Sequence, residues 1–543
     1  MKKDSFVKGT IIASASIILV KVIGALYNIP FYSIIGPEGG SLYTYGYTIY
    51  SLFLNISTAG IPIAISKIIS EYNSLGLYEA KERAFSLGKK IIYIISILSF
   101  FILFVFSKEI AFLYKGSLVG GCSINDISLI IKSVSFCLLI IPMLSLLRGY
   151  LQGHKFITPS STSQLIEQVA RISFVLMSSY IAINLLHTKV SIGVSLAVLG
   201  AFFAGLVTYF YLVYKINSNK NKFMLEKINK KDNISNKEII KKIISYSIPF
   251  IIMVIAIDIY NITDVTLILR GLTKVGYTTT EAELIASIIA TWGSKLIIII
   301  NSFATGISMS LMPHMVSSNA LKDNTKINKI INQSFSIILS VSFPLAIFIC
   351  IFSHNVYNIF YGNSLYGPNI LKLLIFISIF SSMDMIMSTI LHGLNRFKLI
   401  YISMLLGFFT NACLDIPLIY LFNYIGIPAY YGTIVATIIG YSLSLTIAFT
   451  FLIRKHKVNF KPLYNNVKKL VLPIILVTII AFITHKIINI NTLSRLLQSL
   501  IICLYLVIFG SIYIFILYKN KGVYSIFGES IINKIIKIFK KND

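Results

Sequence analysis

Charge is scarce in this chain, and acidic charge scarcest. Of 543 residues 13% are charged, 48 basic against 20 acidic, while 56% are hydrophobic and the mean hydropathy is +0.82. A soluble fold has nowhere to put that much apolar surface, so a water-soluble domain is excluded. Cysteine is sparse as well. Cys122, Cys137, Cys350, Cys413 and Cys503 form no C-x-x-C pair, and all but Cys122 lie in apolar runs. That leaves no disulfide framework and no metal site. The histidines are scattered, with no acidic or histidine cluster of the kind a membrane-embedded transferase needs. No glycine-lysine phosphate loop is present, so the chain is no ATPase. It reads as a transporter that uses no cofactor, not as an enzyme. The net charge of +28 could suggest nucleic acid. Its placement in alternate loops, with no soluble basic domain, excludes that partner.

What is present is length without charge. About fourteen apolar stretches are each long enough, at ~20 residues, to cross a bilayer. They run over 8–35, 42–70, 87–114, 127–151, 160–186, 190–215, 243–270, 283–313, 328–353, 368–393, 398–423, 428–453, 468–488 and 494–518. Lysine and arginine fill every second gap, with Lys115, Lys189 and Lys274 as exceptions. By the positive-inside rule both termini lie in the cytoplasm and the chain sits in the plasma membrane. The start, Met1-Lys2-Lys3-Asp4, leads into an apolar run without a small-residue cleavage site, so a first transmembrane helix is expected rather than a signal peptide.

The fold class expected is an all-α polytopic membrane protein. An N-terminal lobe spans 1–216, a polar linker 217–242, a C-terminal lobe 243–455, two further helices 456–520 and a tail 521–543. The lobes echo each other. Asn55-Ile56-Ser57-Thr58-Ala59-Gly60-Ile61 matches Asn301-Ser302-Phe303-Ala304-Thr305-Gly306-Ile307, and Leu151-Gln152-Gly153 matches Leu391-His392-Gly393. With six spans before the linker, the lobes are parallel repeats around a central cavity. In the tail Ile531, Ile532, Ile535, Ile538 and Phe539 alternate with Lys534, Lys537, Lys540 and Lys541. This is a helix for an anionic lipid surface.

Ionisable residues inside the spans are the functional candidates. Lys21 lies roughly 20 Å along the helix from Lys8 at ~1.5 Å per residue, and Lys295 is equally deep in the eighth span. A cation at such depth faces a wet cavity or a partner. Together they suit a phosphate, with Asp258 of the seventh span as counter-charge or ion ligand; the alternative is a buried Lys–Asp pair that locks helices. Lys67 either joins the site or snorkels from its helix end. Asp384 and Asp415 are isolated acids that could bind a coupling monovalent cation or proton, or bond to Ser and Thr nearby. Glu167 and Arg171, four apart on one helix, read as a structural pair.

The run Ile34-Ile35-Gly36-Pro37-Glu38-Gly39-Gly40 and then Ala59-Gly60-Ile61-Pro62-Ile63-Ala64-Ile65-Ser66-Lys67 resembles the opening of polysaccharide exporters of the multidrug/oligosaccharidyl-lipid/polysaccharide superfamily. Leu147-Arg148-Gly149-Tyr150-Leu151-Gln152-Gly153, Pro159 and Ile166-Glu167-Gln168-Val169-Ala170-Arg171 resemble the stage V sporulation protein B group, which includes MurJ-type lipid II flippases. The resemblance implies two six-helix lobes around a cavity, two extra helices and alternating access. It implies cavity-lining cations, arginine in the family, at Lys21 and Lys295. A second family arginine falls at Tyr27 and an arginine pair near Leu54-Asn55. Lysine offers phosphate a point charge where arginine offers a planar fork.

The expectation is a flippase for a lipid-linked cell-wall precursor, serving peptidoglycan or spore cortex synthesis. Its partners would be a lipid II-like or other lipid-linked oligosaccharide, anionic lipids and the cell-wall synthesis machinery. The alternatives are an exporter of lipid-linked polysaccharide, a cation-coupled multidrug antiporter, and a scaffold with no transport of its own.

Overall fold

Helices here begin and break where individual side chains dictate. The structure, a computed structural model, describes residues 20, 23–24, 26–58, 60–154, 156–219, 234–488 and 490–527. Lys21, residues 220–233 of the linker and the tail lysines from Lys534 onward lie outside the described residues. Among those described the chain is helical with no strand, and eleven helices are long and apolar enough to cross a membrane. The protein is an all-α, multi-pass membrane protein. By packing it divides into two units, 1–273 with 277–287 and 274–276 with 288–543. The boundary between Ser287 and Ile288 falls inside the eighth expected span.

The first unit holds α1 (Asn28–Thr58), α2 (Ile61–Leu75), α3 (Tyr78–Val105), α4 (Ser107–Lys115), α5 (Ile124–Ser135) and α6 (Cys137–Gly153). Then come α7 (Ile157–Tyr180), which ends in a π turn at Ile181–Leu185, α8 (Val190–Asn217), α9 (Asn236–Lys274) and α10 (Thr279–Ser287). Within α1 the first and second expected spans meet at one non-helical residue, Gly36, with φ 65° and ψ −173°. Glycine adopts that backbone without strain, and Pro37 cannot donate to the ladder there. Ile65, Ile68 and Ile69 of α2 pack against Leu146, Leu147 and Tyr150 of α6.

The second unit opens with a π turn at Ile288–Trp292 and continues through α11 (Gly293–Ala320), α12 (Asn324–Ile351), α13 (Ser353–Tyr361), α14 (Gly367–Leu374) and α15 (Ile377–Gly393). It ends with α16 (Phe397–Tyr424), α17 (Tyr431–His456), α18 (Lys461–Ile487), α19 (Arg495–Lys519) and α20 (Gly522–Phe527). Helices α16 and α17 cross at glycine: a Cβ at Gly407 would stand 2.6 Å from the Gly440 carbonyl oxygen, and the reverse distance is also 2.6 Å. Small residues let membrane helices approach backbone to backbone in this way.

Each unit repeats the same punctuation. Helix α3 has 28 residues, breaks at Phe106 and resumes as the nine-residue α4. Helix α12 has 28 residues, breaks at Phe352 and resumes as the nine-residue α13. Gly116 and Gly362 stop the short helices with positive φ, 59° and 77°. Helices α6 and α15 both close on the Leu-x-Gly triplets seen in the sequence. The other sequence echo behaves differently in its two copies. Asn55 lies near the end of α1, and α2 starts afresh with Pro62 in its first turn. Asn301 to Ile307 runs unbroken inside α11. Ser308 stands where Pro62 does, so the second copy keeps every backbone donor.

Candidate substrate site

Of the three lysines expected to bind substrate, Lys21 lies outside the described residues. Lys295 sits two residues into α11, but the helical run that contains it begins at Thr279, which keeps it within the span. Its Nζ rests 4.0 Å from the ring centroid of Trp292. A cation over an aromatic face is held without losing its charge. Trp292 is itself fully buried and pinned, its carbonyl accepting the Tyr361 hydroxyl at 2.8 Å. The Lys295 head is thus positioned by a rigid ring one helical turn before it. Lys67 is exposed on α2, and its Nζ lies 4.0 Å from the Tyr246 ring of α9.

The acids divide by partner. Asp258 of α9, 4% exposed, accepts a hydrogen bond from Asn55 Nδ2 of α1 at 2.8 Å. Asp384 of α15 accepts from the Ser444 hydroxyl of α17 at 3.0 Å, the neighbouring-helix bond that the sequence left as one option. Asp415 is fully buried on α16, and Asn411, also fully buried, lies one turn before it on the same face. Asn301 of α11 accepts from both Ser381 and Ser382 of α15, at 3.1 and 2.8 Å. Asn411 escaped the sequence reading, and Asn301 entered it only as part of a repeat, because an amide in an apolar helix carries no charge to mark it.

Glu167 takes Arg148 as its ion-pair partner, at 2.6 Å, not Arg171. Arg148 of α6 also donates through Nε to Ser163 at 2.7 Å, so two of its arms bind α7. Arg171 donates instead to Gln168 and lines a cavity among tyrosines. The sequence could not show this, because helical spacing says nothing about a residue arriving from another helix. In the second unit an apolar trench of about 320 Å³ runs between α12, α18 and α19. Pro344, Phe348, Val477, Phe509 and Tyr513 line it, and the Tyr513 hydroxyl donates to the carbonyl of Ser340, another lining residue, at 2.9 Å.

A family described as polysaccharide biosynthesis protein matches residues 6–317. The lipid II flippase MurJ of Bacillus subtilis (strain 168) is 31% identical over 481 residues, 87% of this chain and 86% of the relative. The chain belongs to the MurJ family of polysaccharide biosynthesis proteins. Stage V sporulation protein B of the same organism is 27% identical over 250 residues, 46% of each chain. A solved MurJ in an inward closed conformation matches with TM-score 0.61 at 17% identity, over 93% of this chain and 98% of that one. An inward-facing multidrug resistance transporter of the MATE family in the MOP superfamily matches with TM-score 0.63 at 14% identity, over 80% and 96%. At such identities the solved structures establish the MOP fold that the MurJ family shares.

Proposed function

We propose that this chain flips a lipid-linked cell-wall precursor, undecaprenyl-pyrophosphate-linked and lipid II-like, across the plasma membrane. The observation that carries the reading is the 31% identity to a lipid II flippase over 87% of the chain. The product would feed peptidoglycan or spore cortex synthesis. Both termini and the 217–242 linker are cytoplasmic in this reading, and the lobes alternate access to a cavity between them.

The substrate asks for two environments. Its pyrophosphate needs fixed cations, the role proposed for Lys21 and Lys295, with Lys67 receiving the headgroup. A diphosphate carried out of water without cationic partners costs several kcal/mol. Its prenyl tail needs apolar surface, and the trench of about 320 Å³ along α12, α18 and α19 offers that chemistry. Direction requires a driving force. Asp258, Asp384 and Asp415 are the proposed positions for a coupling cation or proton, Asp415 being the most deeply buried of them. Anionic lipids would receive the basic tail, and the cell-wall synthesis machinery would take the product.

The deciding experiment reconstitutes the chain in vesicles and follows a labelled lipid-linked disaccharide-peptide from one leaflet to the other. Movement faster than in protein-free vesicles supports the reading. Its absence, together with export of a cationic drug driven by an ion gradient, would favour the antiporter reading, for which Asp384 of α15 and the fully buried Asp415 of α16 are the observation.

A further inference from the structure

Arg171 presents a problem that the flippase reading does not use. A guanidinium stays charged at any pH the protein meets, so a buried one must be compensated. Its neighbour Glu167 is engaged by Arg148 at 2.6 Å, and that pair sums to zero. The hydrogen-bond partner of Arg171 is the neutral amide oxygen of Gln168. Its Nε is buried and, among the described residues, has no hydrogen-bond partner. The Nε2 of Gln168, on a side chain only 4% exposed, is unpartnered too.

Around this cation the first unit forms a cavity of about 50 Å³. Tyr43, Tyr47 and Tyr50 project into it from α1 at the i, i+4, i+7 spacing of one helix face, and Tyr27 joins them from just before α1. Tyr43 and Tyr47 stack with centroids 5.6 Å apart. Tyr47, one of the lining residues, is 44% exposed. Aliphatic residues of α7 and α8, among them Val175 and Val198, close the rest. Among the described residues no carboxylate lines it.

We infer that the Arg171 cavity is a binding site for a small inorganic anion. One permanent positive charge, an unused N–H and phenol hydroxyls are anion-binding groups, and the apolar wall raises the attraction by keeping water few. The size sets the class. A water needs at least ~10–15 Å³ of such space, so this cavity takes about one monatomic ion with two or three waters. A sugar or a lipid headgroup does not fit. Chloride is the anion its volume suits. The inference stands whether or not the chain flips a lipid.

The test uses the purified full chain in detergent with gluconate as the only anion. Chloride is added at constant ionic strength and the unfolding midpoint followed. The expected result is a saturable rise in the midpoint for the native chain. In Arg171→Gln the apparent affinity should fall at least about tenfold, since a charged partner is lost, and in Arg171→Lys it should fall less. The chloride-35 linewidth of the unaltered chain gives a reading that needs no variant. Broadening that added bromide displaces supports the site. No chloride-dependent shift and no displaceable broadening overturn it, and so does an equal shift in Arg171→Gln.

Discussion

At the scale of single residues, the cations decide most. If Lys295 meets a pyrophosphate, Lys295→Ala should cut flipping by at least ~100-fold, since a stranded buried charge costs several kcal/mol. Lys295→Arg should retain activity, because a guanidinium also serves phosphate. The same pair of outcomes is expected at Lys21, and the vesicle assay with matched insertion levels checks both. Arg148 belongs to stability instead. It holds Glu167 at 2.6 Å with both side chains largely buried, 14% and 17% exposed. Arg148→Ala should therefore destabilise the first unit by about 3 kcal/mol, and a second change, Glu167→Gln, should recover much of that loss. Thermal unfolding of the purified chain measures it. The depth of Lys295 and Asp258 was legible because a lone charge in an apolar run is conspicuous. Who pairs with whom was not. Arg148 and Glu167 are 19 residues apart on different helices, and no periodicity joins them.

Helices were legible as apolar runs, and their interruptions were not. The run 42–70 reads as one span, yet Pro62 restarts the chain as α2. The 36–40 segment reads as a loop, yet the break narrows to Gly36. Chain starts were set by side chains that sequence does show: Ser123, Asp323 and Ser494 accept from the backbone N–H three residues on and cap α5, α12 and α19. Between helices, the Asn55–Asp258 bond ties α1 to α9 inside the first unit. Asn55→Ala should cost about 1–3 kcal/mol, since a buried acceptor loses its donor. Asp258→Asn keeps a partner for Asn55 while removing the charge. If Asp258 serves ion coupling, that variant should unfold near the native temperature and still lose gradient-dependent transport. A variant both stable and active would assign Asp258 to structure alone.

At the scale of the molecule, membership in the MurJ family was legible from motifs in the first two spans and in the fourth and fifth, because those runs combine glycine, proline and charge in an order that composition alone does not produce. The arrangement of α3 with α4 and of α12 with α13 was not, since the two copies share lengths and break points rather than residues. Orientation follows from the lysine bias and is open to direct test. Single cysteines at Asn229 and Gly39, in a chain with its own cysteines replaced, should react with an impermeant thiol reagent from opposite sides of the membrane. Labelling of both from outside would overturn the two-lobe topology.

The cation seated on Trp292 has an optical consequence. The chain contains one tryptophan, and it is the ring under Lys295 at 4.0 Å. All indole emission therefore originates from this one position, and an ammonium over the ring perturbs its excited state. Drawing the Lys295 head toward a diphosphate would change that emission in the unlabelled protein. Titration with a soluble diphosphate should shift intensity or wavelength in the native chain and leave Lys295→Ala unchanged. An equal response in both would mean that the ligand does not engage Lys295. The protein so carries its own fluorophore at the place where the first contact with substrate is proposed.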